Sequence, residues 1–202
     1  INRIAGRLVK AFNTNTVINP IPVKYCKNIN LANKLRKLCE DQIKDETIGI
    51  KAGGTGIQAL KKLKEKEPFT AKVFKKRLVK SGQKVKINQH TKGIEVEVYY
   101  FIKKSFFDYK GKVTKSNVNK FIKFMGPCFE IVGFRQRNKK FTYLGDICGD
   151  FGFNIKFVVG RKTKFKKLNL NNLKTSLVSK KNGVKVNGNT NIVYINPLNS
   201  LR

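Results

Sequence analysis

Two stretches of this chain carry residue types whose spacing could do chemistry. The first is Ile48-Gly49-Ile50-Lys51-Ala52-Gly53-Gly54-Thr55-Gly56-Ile57. It reads as a short apolar strand, a glycine turn and the start of a helix. Glycine lets a backbone take positive φ and come close to a partner, and the free N–H groups of a helix start can meet a phosphate. Lys51 stands beside the turn, and Lys61 and Lys62 follow it. The second stretch holds Glu95 and Glu97, alternating with Ile94, Val96, Val98 and Tyr100. Alternation puts both carboxylates on one face of a strand, where acid–base or metal chemistry could use them. The simpler reading is a solvated or lysine-paired face of an antiparallel sheet.

Other constellations are missing. The sequence has no Walker motif, no G-x-S-x-G, and no His and Cys paired for nucleophilic catalysis. Its four cysteines, Cys26, Cys39, Cys128 and Cys148, form no C-x-x-C pair, and His90 is the single histidine. These read as buried free thiols in a reducing compartment, with no metal and no cofactor expected.

Charge gives the strongest compositional signal. The 202 residues include 44 Lys+Arg against 12 Asp+Glu, a formal net charge of +32. Such an excess opposes compaction and suits a polyanionic partner. No apolar run approaches the ~20 residues that span a bilayer, so no membrane partner is expected. With 40% hydrophobic residues and 15 Phe, the chain can still bury a core. Its last acid is Asp150, and no acid precedes Glu40. That acid-free start, opening at Ile1, fits the region behind an organellar targeting peptide. The acid-free tail is expected to gain order only from a polyanion.

The elements that would position these residues can be read along the chain. Residues 1–20 read as an extended basic arm. Ile21 to Cys26 reads as a strand, and Leu31, Leu35, Leu38, Cys39 and Ile43 share one helical face, with Asn28 or Asn30 as cap. Thr47 to Ala52 is a second strand, followed by a helix that Pro68 stops. Phe69 to Val79 reads as helix or basic loop, Val85 to Asn88 as a strand, and Ile94 to Ile102 as another. A second module begins after a linker at 106–111. It has a helix carrying Val118, Phe121, Ile122 and Met125, then strands at Cys128 to Phe134, Phe141 to Ile147 and Phe153 to Val159. Asn182-Gly183 marks a type I′ hairpin. The division expected is an arm at 1–20, a domain at 21–105, an α+β module at 106–160 and a basic extension at 161–202.

Over residues 21–102 the expected order is β-α-β-α-β-β. With the basic exit at Lys24 and Lys27 and the glycine turn at Gly53, Gly54 and Gly56, it resembles the Alba family, and most closely its relatives of the stage V sporulation protein S type. The resemblance implies a small nucleic-acid-binding domain, often dimeric, in which Lys24, Lys27, Lys51, Gly53, Gly54 and Gly56 contact backbone phosphates. Thr55 is the polar side chain within the turn. The same order of elements occurs in the C-terminal domain of translation initiation factor three.

The expectation is an α/β (α+β) protein without catalysis: a structural RNA-binding protein of a mitochondrial ribosome, in the matrix. Its partners would be ribosomal RNA and neighbouring ribosomal proteins. The RNA-contacting residues would be Lys24, Lys27, Lys51, Gly53, Gly54, Thr55, Gly56, Lys61 and Lys62. Two basic loops would add Arg135, Arg137, Lys139 and Lys140, and Arg161, Lys162, Lys164, Lys166 and Lys167. An Alba-type packaging protein, acting as a dimer, is the alternative within that class. The alternative of another class is a metal-dependent RNA-processing enzyme using Glu95, Glu97, Asp146 or Asp150.

Overall fold

The computed structural model describes residues 1–87, 90–137, 140–166 and 170–193. The α/β class holds. The chain opens not with an extended arm but with helix α1, Asn2–Thr14. Its apolar residues Ile4, Ala5, Leu8, Val9 and Phe12 recur at helical spacing, and Ala5, Leu8, Val9 and Phe12 are buried. Arg3, Arg7 and Lys10 fill the remaining face, which is why the stretch looks merely basic.

The strand expected at Ile21 to Cys26 is replaced by a helical turn, α2, Lys24–Lys27. Helix α3, Ile29–Gln42, follows at once, with the Asn28 side chain accepting from the N–H groups of Asn30 and Leu31. Strand β1, Thr47–Gly53, leads through the glycine turn into α4, Ile57–Leu63. Phe69–Phe74 is neither helix nor loop but strand β2, paired antiparallel with β1. Phe69, Ala71 and Phe74 are its buried residues. The order over 21–102 is therefore α-α-β-α-β-β-β, with the last two strands β3, Leu78–Lys80, and β4, Thr91–Ile102. Val85 to Ile87 lie outside any strand, and Asn88 is not among the described residues.

In place of the helix expected to carry Val118, Phe121, Ile122 and Met125, a 3-10 turn at Val118–Phe121 runs into the long strand β5, Ile122–Gly133. Gly126 and Pro127 do not break it. Pro127 falls between the two pairings on one side of β5, after the last β6 partner (Cys128↔Val159) and before the first β7 partner (Met125↔Thr163). Phe141 to Ile147 is not a returning strand. It leads into helix α5, Leu144–Cys148, whose Asp146 accepts from the N–H groups of Thr142 and Tyr143. Strands β6, Asn154–Val159, and β7, Thr163–Lys164, complete the main sheet. Its order is β3-β6-β5-β4, with β7 beside β5; β3 and β6 run parallel and the other pairs antiparallel.

This sheet removes the boundary expected near residue 106, since β4 and β5 are partners along eleven positions from Thr91↔Gly133 to Ile102↔Ile122. The acid-free tail contains a hairpin of β8, Lys174–Val178, and β9, Lys185–Asn189. Gly183 is left-handed but Asn182 is not, so its turn is not of type I′.

Two apolar clusters lie under the helices. One joins Ala5, Leu8, Val9 and Phe12 to Leu35, Cys39, Phe74 and Phe151. The other joins Ala32, Leu60, Phe69, Ala71, Leu144 and Cys148. An ion pair adjoins the first: Arg135, 2% exposed, meets Asp150, fully buried, at 3.1 Å. The guanidinium lies 4.9 Å from the Phe12 ring and also donates to the Asn154 carbonyl. Loss of one partner would leave a bare buried charge, at a cost of about 3–5 kcal/mol. Arg135→Met should therefore lower the urea-unfolding free energy by about that amount, and adding Asp150→Leu should restore most of it.

Candidate active site

The register of β4 and β5 builds the site. Glu95 lies opposite Glu130, and Glu97 opposite Cys128, so all four side chains share one face of the sheet. On β6 the partner of Glu130 is Phe157. Lys51 reaches this face from strand β1. Its ammonium is 2.5 Å from Glu130 Oε1, 2.9 Å from the Gly152 carbonyl and 6.0 Å from the Phe157 ring centroid. Asn154 donates to the same Glu130 oxygen at 3.2 Å.

Unusual backbone supports this arrangement. Phe151, Gly152 and Phe153 all have positive φ, of 53°, 63° and 58°. For phenylalanine this conformation is strained. The turn is held by Phe151 stacking on Phe12 at 4.5 Å and Phe153 on Phe134 at 4.3 Å. It delivers the Gly152 carbonyl to Lys51 and starts the strand that brings Asn154 to Glu130.

Glu95 and Glu97 have no hydrogen-bond or ion-pair partner among the described residues. Burial, then the charges of Glu95 and Glu130, push the Glu97 carboxyl from 4.5 up to about 7, with Lys51 opposing. Burial and Glu130 raise Glu95 as well, although its exposure to solvent screens the effect. The Cys128 thiol is pushed up to about 12 by burial and by Glu97 and Glu130, so it stays protonated and is no nucleophile. Three carboxylates thus share the sheet face that one lysine reaches, in a chain where basic residues outnumber acids 44 to 12.

The donor set is all oxygen, which suits a hard divalent cation of the magnesium or calcium type. As folded, no group of three His, Cys, Asp or Glu side chains among the described residues converges closely enough to hold an ion, and Glu130 is turned to Lys51. Asp146 and Asp150, the other acids considered for metal chemistry, are buried in structural roles, capping α5 and pairing with Arg135.

The residues expected to bind RNA are dispersed. Lys51 and Arg135 are buried in ion pairs. The glycine turn packs against its own chain: a Cβ on Gly53 would lie 2.4 Å from the Phe69 ring, and one on Gly54, at φ +73°, 2.8 Å from Leu144. Gly56 bridges to Val193, and Thr55 is half-buried beside it. Lys24, Lys27, Lys61, Lys62, Arg137, Lys140, Arg161, Lys162, Lys164 and Lys166 are exposed. Lys139 and Lys167 lie outside the described residues. Sequence reading missed Glu130, because its relation to Lys51 and Glu95 exists only through the strand register.

No family model matches the chain, and no curated protein matches it. Solved structures do. The 4-oxalocrotonate decarboxylase from Pseudomonas putida G7, complexed with magnesium and adipate, aligns with a TM-score of 0.75 at 17% identity, over 98% of this chain and 76% of that one. The same enzyme complexed with calcium and acetate gives 0.77 at 17% identity, over 98% and 75%. The chain therefore has the fold of a decarboxylase. This overturns the expectation of a non-catalytic structural RNA-binding protein of a ribosome, which rested on surface charge.

The raised Glu97 carboxyl has a stability consequence. A carboxyl whose folded value exceeds its unfolded one binds its proton more tightly when folded. That contribution is complete below 4.5 and is lost as pH rises through about 7. Glu97→Gln, which mimics the protonated form, should melt progressively higher than the parent protein between about pH 5 and pH 8. Parallel melting curves across that range would contradict the assignment.

Proposed function

We propose that this protein is a divalent-metal-dependent enzyme acting on a carboxylate substrate, a decarboxylase or a related carbon–carbon lyase. The observation that carries the reading is the placement of Glu95, Glu97 and Glu130 on one sheet face, with Lys51 paired to Glu130. The solved neighbours with this fold were captured with magnesium or calcium and with adipate or acetate.

Glu95 and Glu97 of β4 would hold the cation, while Glu130 stays paired with Lys51. When bound, the ion supplies Lewis acidity to a substrate oxygen. The chain's own groups do the rest. Lys51 offers an ammonium, fixed by the Gly152 carbonyl, to negative charge that develops on the substrate. Phe157 limits water at the buried side of the lysine.

Calorimetric titration with MgCl2 or MnCl2 tests the metal, and release of carbon dioxide from oxo-dicarboxylates tests the reaction. Glu95→Gln and Glu97→Gln should each weaken metal binding at least about tenfold. Lys51→Met should abolish turnover while metal binding persists. Unchanged metal affinity in both glutamine variants would sink the reading.

A further inference from the structure

The loop that joins β4 to β5 takes no part in the site described above. Ile102 pairs with Ile122, so residues 103–121 form a long hairpin loop beyond the last pair of that ladder. Local contacts fix it. The Lys103 N–H donates to the Phe121 carbonyl at 2.7 Å. The Asn117 side chain donates to the Lys112 carbonyl at 2.9 Å and accepts from the Thr114 N–H at 2.8 Å. Three aromatic residues stand near the start of the loop, Phe106, Phe107 and Tyr109. The rings of Phe106 and Tyr109 lie 5.4 and 4.9 Å from the ring of Phe121, which is buried. Phe107 has no such support. It meets Phe106 edge to face at 5.5 Å and remains 72% exposed.

Charge surrounds this ring. Lys103, Lys104, Lys110, Lys112, Lys115 and Lys120 are all exposed, and Asp108 is the one acid between residues 103 and 121. Three kinds of occupant have a use for an apolar tip in a basic ring. A second copy would set the same lysines against these, in a chain of net charge +32. A single-stranded nucleic acid stacks successive bases on successive rings, and here two of the three rings already rest on Phe121. An anionic lipid surface matches both features. An apolar side chain enters the acyl boundary while lysines stay among the headgroups. Among the described residues no helix is long and apolar enough to cross a membrane, and docking of this kind needs none.

We infer that the loop at 103–121 docks the protein on an anionic membrane surface. Phe107 enters the acyl boundary, Tyr109 lies at headgroup level and the lysines meet the lipid phosphates. The expectation of no membrane partner came from the lack of a spanning run, and interfacial docking falls outside what such runs report.

The test is flotation of the full chain with vesicles of phosphatidylcholine, alone or mixed equally with phosphatidylglycerol. The mixed vesicles should bind it at least about tenfold more tightly than the neutral ones. The chain has no tryptophan, so Phe107→Trp gives a single reporter, whose emission should shift to the blue on the mixed vesicles. Phe107→Ser, at an exposed position, should weaken binding at least about tenfold, because no ring then leaves water. Lys110→Gln with Lys112→Gln should weaken it by about tenfold as well. Lys61→Gln with Lys62→Gln removes the same charge from α4 and should change it by less than about twofold. Equal binding to the two kinds of vesicle, an unshifted reporter on bound protein, or an unmoved affinity in Phe107→Ser would overturn the inference. Binding of single-stranded RNA or of an acidic peptide without binding of vesicles would also overturn it. None of the loop residues belongs to the proposed metal site, so either result leaves that reading where it stands.

Discussion

The ion pair between Lys51 and Glu130 is the contact on which the site depends. Both side chains are nearly sealed from solvent, 9% and 4% exposed, and their charged atoms are 2.5 Å apart. Burying two charges is costly, and the cost is met only where geometry and extra hydrogen bonds are good. The Gly152 carbonyl and the Asn154 amide provide those bonds. Three separate segments, strand β1, the central strand β5 and the left-handed turn at 151–153, therefore converge on one point. The strain of two phenylalanines at positive φ is stored there.

The overall charge of the chain and its chemistry point in opposite directions. Of its few acids, those that are buried are committed inside: Glu40 to Arg36, Asp150 to Arg135, Glu130 to Lys51, and Asp146 to the start of α5. The lysines that dominate the composition mostly lie at the surface. Net charge therefore describes the solvent-facing shell, while the fold and the site are organised by a handful of carboxylates. A composition argument weights every residue equally, and here the rare type carries the chemistry.

Local patterns were legible where one element decides them. The period-two run of β4 showed that Glu95 and Glu97 share a face, and Asn28 announced its helix. Patterns that needed a partner were not. Phe69–Phe74 reads as helix or loop until β1 lies beside it. Gly126-Pro127 reads as a helix end, yet a strand passes through it. Arg135 looks like the tip of a basic loop, and Asp150, fifteen residues away, draws it inside. Glu130 had no local signal at all. The glycine turn reads as backbone open to a phosphate, but its neighbours are Phe69 and Leu144 of the same chain.

Among the described residues, strand β4 has a neighbour on one side only and ends the sheet. The two unpaired carboxylates thus ride on the margin with a single hydrogen-bond ladder, while Glu130 sits in the interior beside strands on both sides. Margins of sheets are where native proteins open first. A ligand that bridges margin and interior acts as a clasp, so occupancy and local order rise together.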